Sequence, residues 1–414
     1  MFSHRFFTAA AAMAFAGASL GAQSATPITF DQAVRIALQQ NATVRQAKNE
    51  NALDAASVTQ QKLQFAPSLS LSTSTGQSYG RAFSESDGRI VDQTTQSLNA
   101  GVSSSVTLFD GLKNVANLRG AKLTEQASTR ELARTKQTVV FTVASNYLAL
   151  VTQREQLRVQ EQNLASLEAE QRQIDLLVKA GKRPISDQYQ QQASVAAARA
   201  TVVDARNALE LAKVDLMQTL QLDASGEYDF VPPDVNDSAA VGRTYDLDSL
   251  VTRALAQRAD LDAQESRLDA ARAGVRAAEA GKWPTISLGA GYNSAFSSAS
   301  DVAFADQLDQ RRGGSISVGI SVPLFDRGAT SLAAQRAQIA QDNARIALQT
   351  ERQSVSLQVR RAFLEQRAAQ ERLKAAQAQI AAAEQALNAS QLRYGAGAAT
   401  LVEVTQSRTA RVQA

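Results

Sequence analysis

The sequence has 414 residues, of which none is Cys and one is His, with 20% charged residues and a formal net charge of +3. The single imidazole, His4, lies in an N-terminal segment with the pattern of a removable signal, so the mature chain is expected to have neither Cys nor His. This excludes Cys nucleophiles, His-based triads and most transition-metal sites, because these need a thiolate or an imidazole. Charges of both signs are interspersed, which is typical of a solvated surface and not of a nucleic-acid interface. We therefore expect no enzyme activity, no cofactor, no metal site and no nucleic-acid partner.

The N-terminal segment has the pattern of a secretory signal. One Arg, an apolar core of Ala and Phe, and small residues where a signal peptidase cuts follow one another in MFSHRFFTAAAAMAFAGASLGAQSA. An N-terminal membrane anchor is the alternative, although the apolar run is short for that role. The sequence predicts a signal peptide over residues 1–24 and an exported mature chain.

Four uncharged stretches alternate apolar with small polar residues, and this period of two indicates β-strands. They are APSLSLSTST, NAGVSSSVTLF, WPTISLGAGYNSAF and GGSISVGISVPLF. Each has about ten residues or a little more, which is the length that a tilted strand needs to cross a bilayer. We predict two membrane-spanning hairpins whose charged tips, RAFSESDGRIVD and DVAFADQLDQRR, are water-facing loops. A soluble β-sandwich is the alternative for the alternation alone.

Two proline-free intervals predict very long helices. Between Phe109 and Pro184, and again after Leu324, the chain is rich in Ala, Gln, Glu, Arg and Leu. A helix of roughly 70 residues spans on the order of 100 Å, which is too long for an ordinary globular core. Heptad spacing from Val359 to Tyr394 predicts coiled-coil packing, for which a plain two-stranded coiled coil is the alternative. The uncharged window QTVVFTVASNYLALVTQ is polar enough to predict a buried helix face instead of a transmembrane helix.

The chain repeats itself at a nearly constant offset. The stretch VTLFDG returns as VPLFDRG, and Gly181 corresponds to Gly397 at the same offset as Leu108 to Leu324. Each half is predicted to contain a helix, a strand hairpin, a long helix, a turn and a helix. In each half we expect two helices stacked end to end along the long one, in the first half 30–65 and 185–222 along 111–180.

The predicted fold class is mainly α with a membrane β part: long antiparallel coiled-coil helices, four transmembrane strands per chain and an internal duplication. The predicted boundaries are a first repeat over 25–223, a linker over 224–246 and a second repeat over 247–414, whose last helix is truncated relative to the first repeat.

The combination resembles the TolC family of outer-membrane efflux proteins, also called outer membrane factors, over essentially the whole chain after the signal. The resemblance is carried by ITFDQAVRIALQQNATVRQAKN and its echo YDLDSLVTRALAQRADLDAQ, by the LFD turns, and by RYGAGAATLVEVTQSRTARVQA. It implies a homotrimer with one shared 12-stranded barrel in the outer membrane and a helical tunnel in the periplasm. It also implies a periplasmic adaptor (membrane fusion) protein and an inner-membrane transporter as partners, in a tripartite efflux pump or a type I secretion system.

The physics of lipid favours the same assembly. Four strands leave two open edges, and unpaired backbone groups in lipid cost several kcal/mol each. Two chains would make an eight-stranded barrel filled by its own side chains, whereas three chains leave room for a conduit. A periplasmic coiled-coil adaptor and a trimeric structural or adhesin protein are the alternative functions. The first would have no strands of bilayer length, and the second would have no paired hairpins at a fixed offset.

The two predicted turns between antiparallel helices, LLVKAGKRPISDQ and LRYGAGAATLVEV, are the candidate functional sites. The resemblance implies that these turns contact the adaptor and close the tunnel. It assigns Gly181 and Gly397 to the turns themselves. Lys182 and Ala398 stand where other members have residues that some adaptors recognise, so they depart from the pattern of the family. An ordinary solvated helix end is the alternative for each position.

The resemblance also implies a periplasmic gate at these turns. It assigns Tyr394, Glu403 and Asp187 to the constriction, with Asp187 and Tyr394 hydrogen-bonding the helix ends together. Ala399 stands where some members of the family have an Arg that ties the closed gate, and Gln406 where they have a second acid. These two departures predict a gate held by fewer ionic contacts than in those members.

Overall fold

The computed structural model describes residues 26–84, 88–232 and 245–414, so the predicted signal peptide and most of the predicted linker lie outside the described residues. In chain order its elements are β1 (Thr26–Ile28), α1 (Phe30–Gln40), α2 (Ala42–Leu63), β2 (Ser68–Ser84), β3 (Arg89–Phe109), α3 (Lys113–Lys179), α4 (Ile185–Leu220), β4 (Tyr228–Phe230), α5 (Leu247–Gln257), α6 (Ala259–Glu279), β5 (Thr285–Ser297), α7 (Phe304–Gln310), β6 (Gly313–Ser321), α8 (Ala329–Gly395) and α9 (Leu401–Gln413).

Two helices of 67 residues each, α3 and α8, run the length of the helical part and confirm the predicted long helices. The first portion of α3 packs against α2, where the Asn51 amide donates to the Ser128 hydroxyl at 3.1 Å. Its second portion packs against α4, where Arg199 pairs with Glu168 at 2.8 Å. The helices α2 and α4 therefore each cover a different portion of α3, so that α3 is paired with a second helix along both portions.

The junction of α1 and α2 meets the end of α4, as the predicted end-to-end stacking requires. Asn41 separates α1 from α2, and its side-chain oxygen accepts from the Thr43 amide at 2.9 Å, which caps α2. The side-chain amide of Asn41 donates to the Thr219 carbonyl in the last turn of α4 at 2.9 Å. One Asn therefore ends one helix, starts the next and docks both on α4.

A buried cluster at this junction explains the uncharged window in α3. Val143, Tyr147 and Leu150 are fully buried there, which confirms the predicted buried helix face. The Tyr147 hydroxyl lies 3.0 Å from the Ile28 carbonyl and also contacts the Val231 carbonyl, so it joins the short parallel pair β1–β4 to α3. Burial raises the pKa of this phenol.

Among the described helices, none is both long and apolar enough to cross a membrane.

The four long strands form one antiparallel sheet in the order β2-β3-β5-β6, which confirms the prediction of four strands in two strand hairpins. Across β3, β5 and β6 the cross-strand register places most apolar residues on one face and small polar residues on the other. One row joins Val106, Leu288 and Val318 on one face, and the neighbouring row joins Ser105, Gly289 and Ser317 on the other. The sheet therefore has an apolar face and a face of small and polar residues, with β2 and β6 at its edges.

The first hairpin is longer than predicted, and its charged tip is not simply a loop. Strands β2 and β3 have 17 and 21 residues and continue into the RAFSESDGRIVD stretch, of which residues 85–87 lie outside the described chain. Arg81 pairs directly with Asp92 in the ladder. Opposite charges that face each other across strands stabilise the pairing, so these charged residues extend the sheet instead of ending it.

The second tip, DVAFADQLDQRR, also differs from the predicted loop because it contains α7. Gln307 in this helix is almost fully buried and accepts from the Ser297 amide at 3.0 Å while donating to the Val302 carbonyl at 2.7 Å. The rings of Phe296 and Phe304 pack edge to face with centroids 5.0 Å apart. These contacts fold the tip back on the end of β5.

The repeated LFD stretch connects a strand to a long helix in both halves. The Asp110 carboxylate accepts from the Asn114 amide at 2.9 Å, and the Asp326 carboxylate accepts from the Thr330 amide at 2.8 Å. Each turn contains two consecutive residues with positive φ, of which one is Gly, at 111–112 and 327–328. A short acid that satisfies the free amides of a helix start explains why Asp follows Leu-Phe twice.

Candidate functional site

The two helix turns have the same backbone. After α3, Gly181 has φ of 70° and the Lys182 amide donates to the Leu177 carbonyl at 2.9 Å. After α8, Gly397 has φ of 75° and the Ala398 amide donates to the Arg393 carbonyl at 2.8 Å. This pattern ends a helix with a left-handed residue, for which Gly carries the least strain. The sequence therefore identified both turns from their glycines.

The side chains of the two turns differ. The first turn has Lys182 exposed at its tip and Pro184 before the first residue of α4. The second has Ala398 exposed at the corresponding position and Thr400 as the N-cap of α9, with its hydroxyl accepting from the Glu403 amide at 3.3 Å. The first turn is thus basic and the second is small and uncharged.

A contact between Tyr394 and Asp187 joins the two helical hairpins, which are formed by α3 with α4 and by α8 with α9. Tyr394, near the end of α8, is buried, and its hydroxyl donates to the Asp187 carboxylate on α4 at 3.0 Å. Burial, and then the hydrogen bond and charge of Asp187, raise the pKa of Tyr394 to about 12. The phenol therefore remains protonated and able to donate at physiological pH. This is the contact that the family resemblance implied for the pair.

Tyr394 also belongs to a small apolar cluster between the hairpins. Ile174 of α3, with Leu401 and Val404 of α9, is buried against it. Ala399 packs on this cluster with its methyl group, so the position at which some family members have Arg here contributes only apolar contact. These apolar contacts hold the ring of Tyr394, while Asp187 accepts from its hydroxyl and Arg183 donates to its backbone carbonyl.

Arg183, which the sequence analysis did not single out, is the third polar group at this contact. Its Nη2 donates to the Tyr394 carbonyl at 2.5 Å, and its Cζ lies 3.9 Å from the centroid of the Tyr394 ring. The only signal in the sequence is a basic residue beside the proline of the turn. Lys182, the residue before Arg183, is also basic, so charge alone does not single out Arg183. The sequence also does not indicate its partner, since 211 residues separate Arg183 from Tyr394.

Glu403 lies in the first turn of α9, directly after the second helix turn. Its carboxylate is 3.5 Å from the Arg393 guanidinium, and both side chains are about half exposed. Arg393 also donates to the Ala398 carbonyl at 3.2 Å, within its own turn. The structure thus joins Asp187 to Tyr394 but gives Glu403 a different partner. Gln406, one turn further along α9, is exposed.

A cavity of about 570 Å³, lined by both polar and apolar groups, lies beside Tyr394 between α3, α8, α9 and Arg183 of the first turn. An ion pair between Glu170 of α3 and Arg408 of α9 lines it, and the two side chains are 16% and 10% exposed. Sequence reasoning missed this pair, because 238 residues separate its members and the stretch that contains Arg408 gives no sign of its partner. Within the described ranges, no cluster of His, Cys, Asp or Glu has the arrangement of a metal site.

Comparison with known proteins gives this architecture a family. The family model described as outer membrane efflux protein matches residues 33–220 and 250–414, which include all four sheet strands and both helix turns. The chain belongs to this family. It is a family of outer-membrane transport proteins and not of enzymes, and membership places the protein in the outer membrane with a helical domain in the periplasm.

Individual relatives are distant. The chain is 26% identical over 265 residues to the pyoverdine export outer membrane protein OpmQ of Pseudomonas putida, a match that covers 64% of this chain and 54% of OpmQ. It is 25% identical over 244 residues to the outer membrane protein TolC of Vibrio cholerae, which covers 59% of this chain and 54% of that protein. The chain thus spans about half the length of the curated relatives it matches.

The fold is shared more widely than the sequence. The crystal structure of CusC, a protein whose folding and transmembrane channel formation were studied, superposes with a TM-score of 0.81 at 19% identity. The superposition covers 93% of this chain and 86% of CusC. At this identity the likeness establishes the fold alone, so the roles of individual residues at the turns are argued from their contacts here.

Proposed function

We propose that the chain is one protomer of a trimeric channel-tunnel that conducts substrates across the outer membrane. The observation that carries the proposal is the sheet: it has one apolar face, one polar face and two edges, β2 and β6, without a partner among the described residues. In lipid such edges must pair with other chains, and three sheets of four strands close a barrel wide enough for a conduit. The apolar face contacts lipid and the polar face lines the lumen.

The helical part continues the conduit into the periplasm. A helix of 67 residues, such as α3 or α8, is about 100 Å long. The starts of the two, Lys113 and Ala329, are separated in sequence by the same offset as Gly181 and Gly397, which supports two structural repeats with boundaries near 25–223 and 247–414. Six such long helices from three chains surround the tunnel.

The two turns form the periplasmic end in this proposal. Asp187 and Tyr394 hold the hairpins together in the closed state, and Glu403 lines the constriction. The exposed turn residues Lys182 and Ala398, beside Gly181 and Gly397, contact a periplasmic adaptor that connects the channel to an inner-membrane transporter of an efflux pump or type I secretion system. The family match supports this function over an adaptor or an adhesin.

The decisive experiment combines mass and conductance of the full-length protein extracted from outer membranes in detergent. We expect a detergent-corrected mass of a trimer and discrete channels of low conductance in planar bilayers, because the turns are closed in the absence of partners. A stable monomer, or a trimer that forms no channels, would contradict the proposal. A trimeric structural or adhesin protein would also give the mass of a trimer, so the conductance measurement separates it from a channel.

A further inference from the structure

Arg183 contacts Tyr394 at two points. Its guanidinium donates to the backbone carbonyl at 2.5 Å and lies over the ring with Cζ 3.9 Å from the centroid. A planar guanidinium offers several donors in a fixed fork and also stacks on aromatic faces, so one side chain makes both contacts at once. Pro184 follows directly and fixes the backbone at the base of Arg183.

The position of the carbonyl adds to the attraction. Tyr394 is next to the last residue of α8, which ends at Gly395, so its carbonyl belongs to the last turn of a long helix. The carbonyls of a helix C-terminus carry partial negative charge and attract cations. The Gly397 amide already donates to the same oxygen at 3.0 Å, and the second lone pair of this oxygen accepts from Arg183.

Arg183 and Asp187 hold Tyr394 from the same hairpin. Both lie at the α3–α4 turn, one on the loop and the other in the first turn of α4, and both contact a single residue of the other hairpin. The guanidinium covers the ring face and the carboxylate accepts from the hydroxyl. The ring therefore cannot swing away from Asp187 without losing the contact with Arg183.

In the described part of the chain, no side chain of the second turn supplies an equivalent contact. Ala399 has no polar side-chain atom, and Arg393, the cation nearest in sequence, pairs with Glu403 and with the Ala398 carbonyl on its own side. We propose that Arg183 is the positioning residue of the closed state, clamping Tyr394 against Asp187 in place of a cation at position 399. The inference rests on the proposed gate, and it assigns the cationic link of that gate to the first turn.

The test measures single-channel conductance and open probability of the full trimer in planar bilayers. Arg183→Gln is expected to raise the open fraction about three- to tenfold, because it removes a charge-assisted hydrogen bond and a cation–π contact. Arg183→Lys keeps a cation and a donor and is expected to recover part of the closed state. Lys179→Gln is the matched control: it removes an exposed charge from the last turn of α3, close to the same helix turn, and is expected to leave the open fraction unchanged.

A double variant separates clamping from a general effect on folding. Tyr394→Leu removes the ring and the hydroxyl, so adding Arg183→Gln to it is expected to open the channel by less than Arg183→Gln does alone. Full additivity, an unchanged open fraction in Arg183→Gln, or an equal effect of Lys179→Gln would each overturn the inference while leaving the channel function intact.

A second measurement does not depend on conduction. Amide hydrogen exchange over residues 391–400 is expected to accelerate in Arg183→Gln and not in Lys179→Gln. If the wild-type trimer forms no channels, the proposed function fails, and the exchange experiment still decides whether Arg183 clamps Tyr394. Equal exchange in wild type and Arg183→Gln would overturn the clamp in that case.

Discussion

The two ends of the molecule use side chains in different ways. In the sheet, every second residue of a strand lies on the same face. Neighbouring residues in a cross-strand row, such as Ser105, Gly289 and Ser317, are similar in size and polarity. At the helix turns, a single residue such as Tyr394 makes contacts with specific partners on the other hairpin. We therefore expect the effect of a substitution in the sheet to depend on the face that the residue occupies. At the helix turns we expect it to depend on the individual partner that the residue contacts.

The largest expected effect tests the faces of the sheet. Ile320 pairs with Ile286 on the apolar face, and Ser317 pairs with Gly289 on the polar face. Ile320→Arg places a cation in lipid at a cost of about 2 to 4 kcal/mol per chain, so we expect loss of trimers in detergent-extracted membranes. Ser317→Arg is the control on the same strand, and we expect normal trimers with altered conductance. Equal effects of both would show that the faces are reversed or that the sheet is not in lipid.

A smaller effect is expected from the ion pair behind the turns. Arg408→Leu leaves the Glu170 carboxylate partly buried without its partner, which costs on the order of 3 kcal/mol. Arg411→Leu, on the same helix, breaks a half-exposed pair with Glu384 at 3.4 Å and is expected to cost less than about 1 kcal/mol. Amide hydrogen exchange of α9 measures both. Similar exchange in the two variants would mean that burial does not strengthen the first pair.

The same difference explains what the sequence could predict. Period two placed Val318 and Ser317 on opposite faces, and glycines at a constant offset identified both turns, because these are local rules. A charged stretch between two strands predicts a loop, so the pairing of Arg81 with Asp92, which lengthens the first strand hairpin, does not follow from the sequence. The partners of Arg183 and Arg408 lie in the other half of the chain, so only the assembled fold brings them together.

Ultraviolet titration of tyrosinate tests the contact of Tyr394 with Asp187. The pKa of this phenol is raised from 10.0 to about 12, so its protonated form stabilises the contact between the two helical hairpins fully below pH 10, and this contribution is lost as the pH rises through about 12. We expect the difference between wild type and Tyr394→Phe to show a midpoint near 12. Asp187→Asn removes a charge that raises this pKa and is expected to lower the midpoint. A wild-type midpoint near 10 would contradict the contact.

The smallest effect is expected at Glu403, because its partner Arg393 is 3.5 Å away and the pair is open to solvent. Threefold symmetry would place three copies of Glu403 around the axis, and a ring of carboxylates selects cations and binds multivalent ones. Each Arg393 offsets one of these charges. We therefore expect Glu403→Ala to weaken cation selectivity and block by trivalent cations in planar bilayers, and Arg393→Ala to strengthen both, with trimers intact in each case. Unchanged selectivity and block in Glu403→Ala would remove this residue from the constriction, and the turn end would then rely on Asp187, Tyr394 and Arg183 alone.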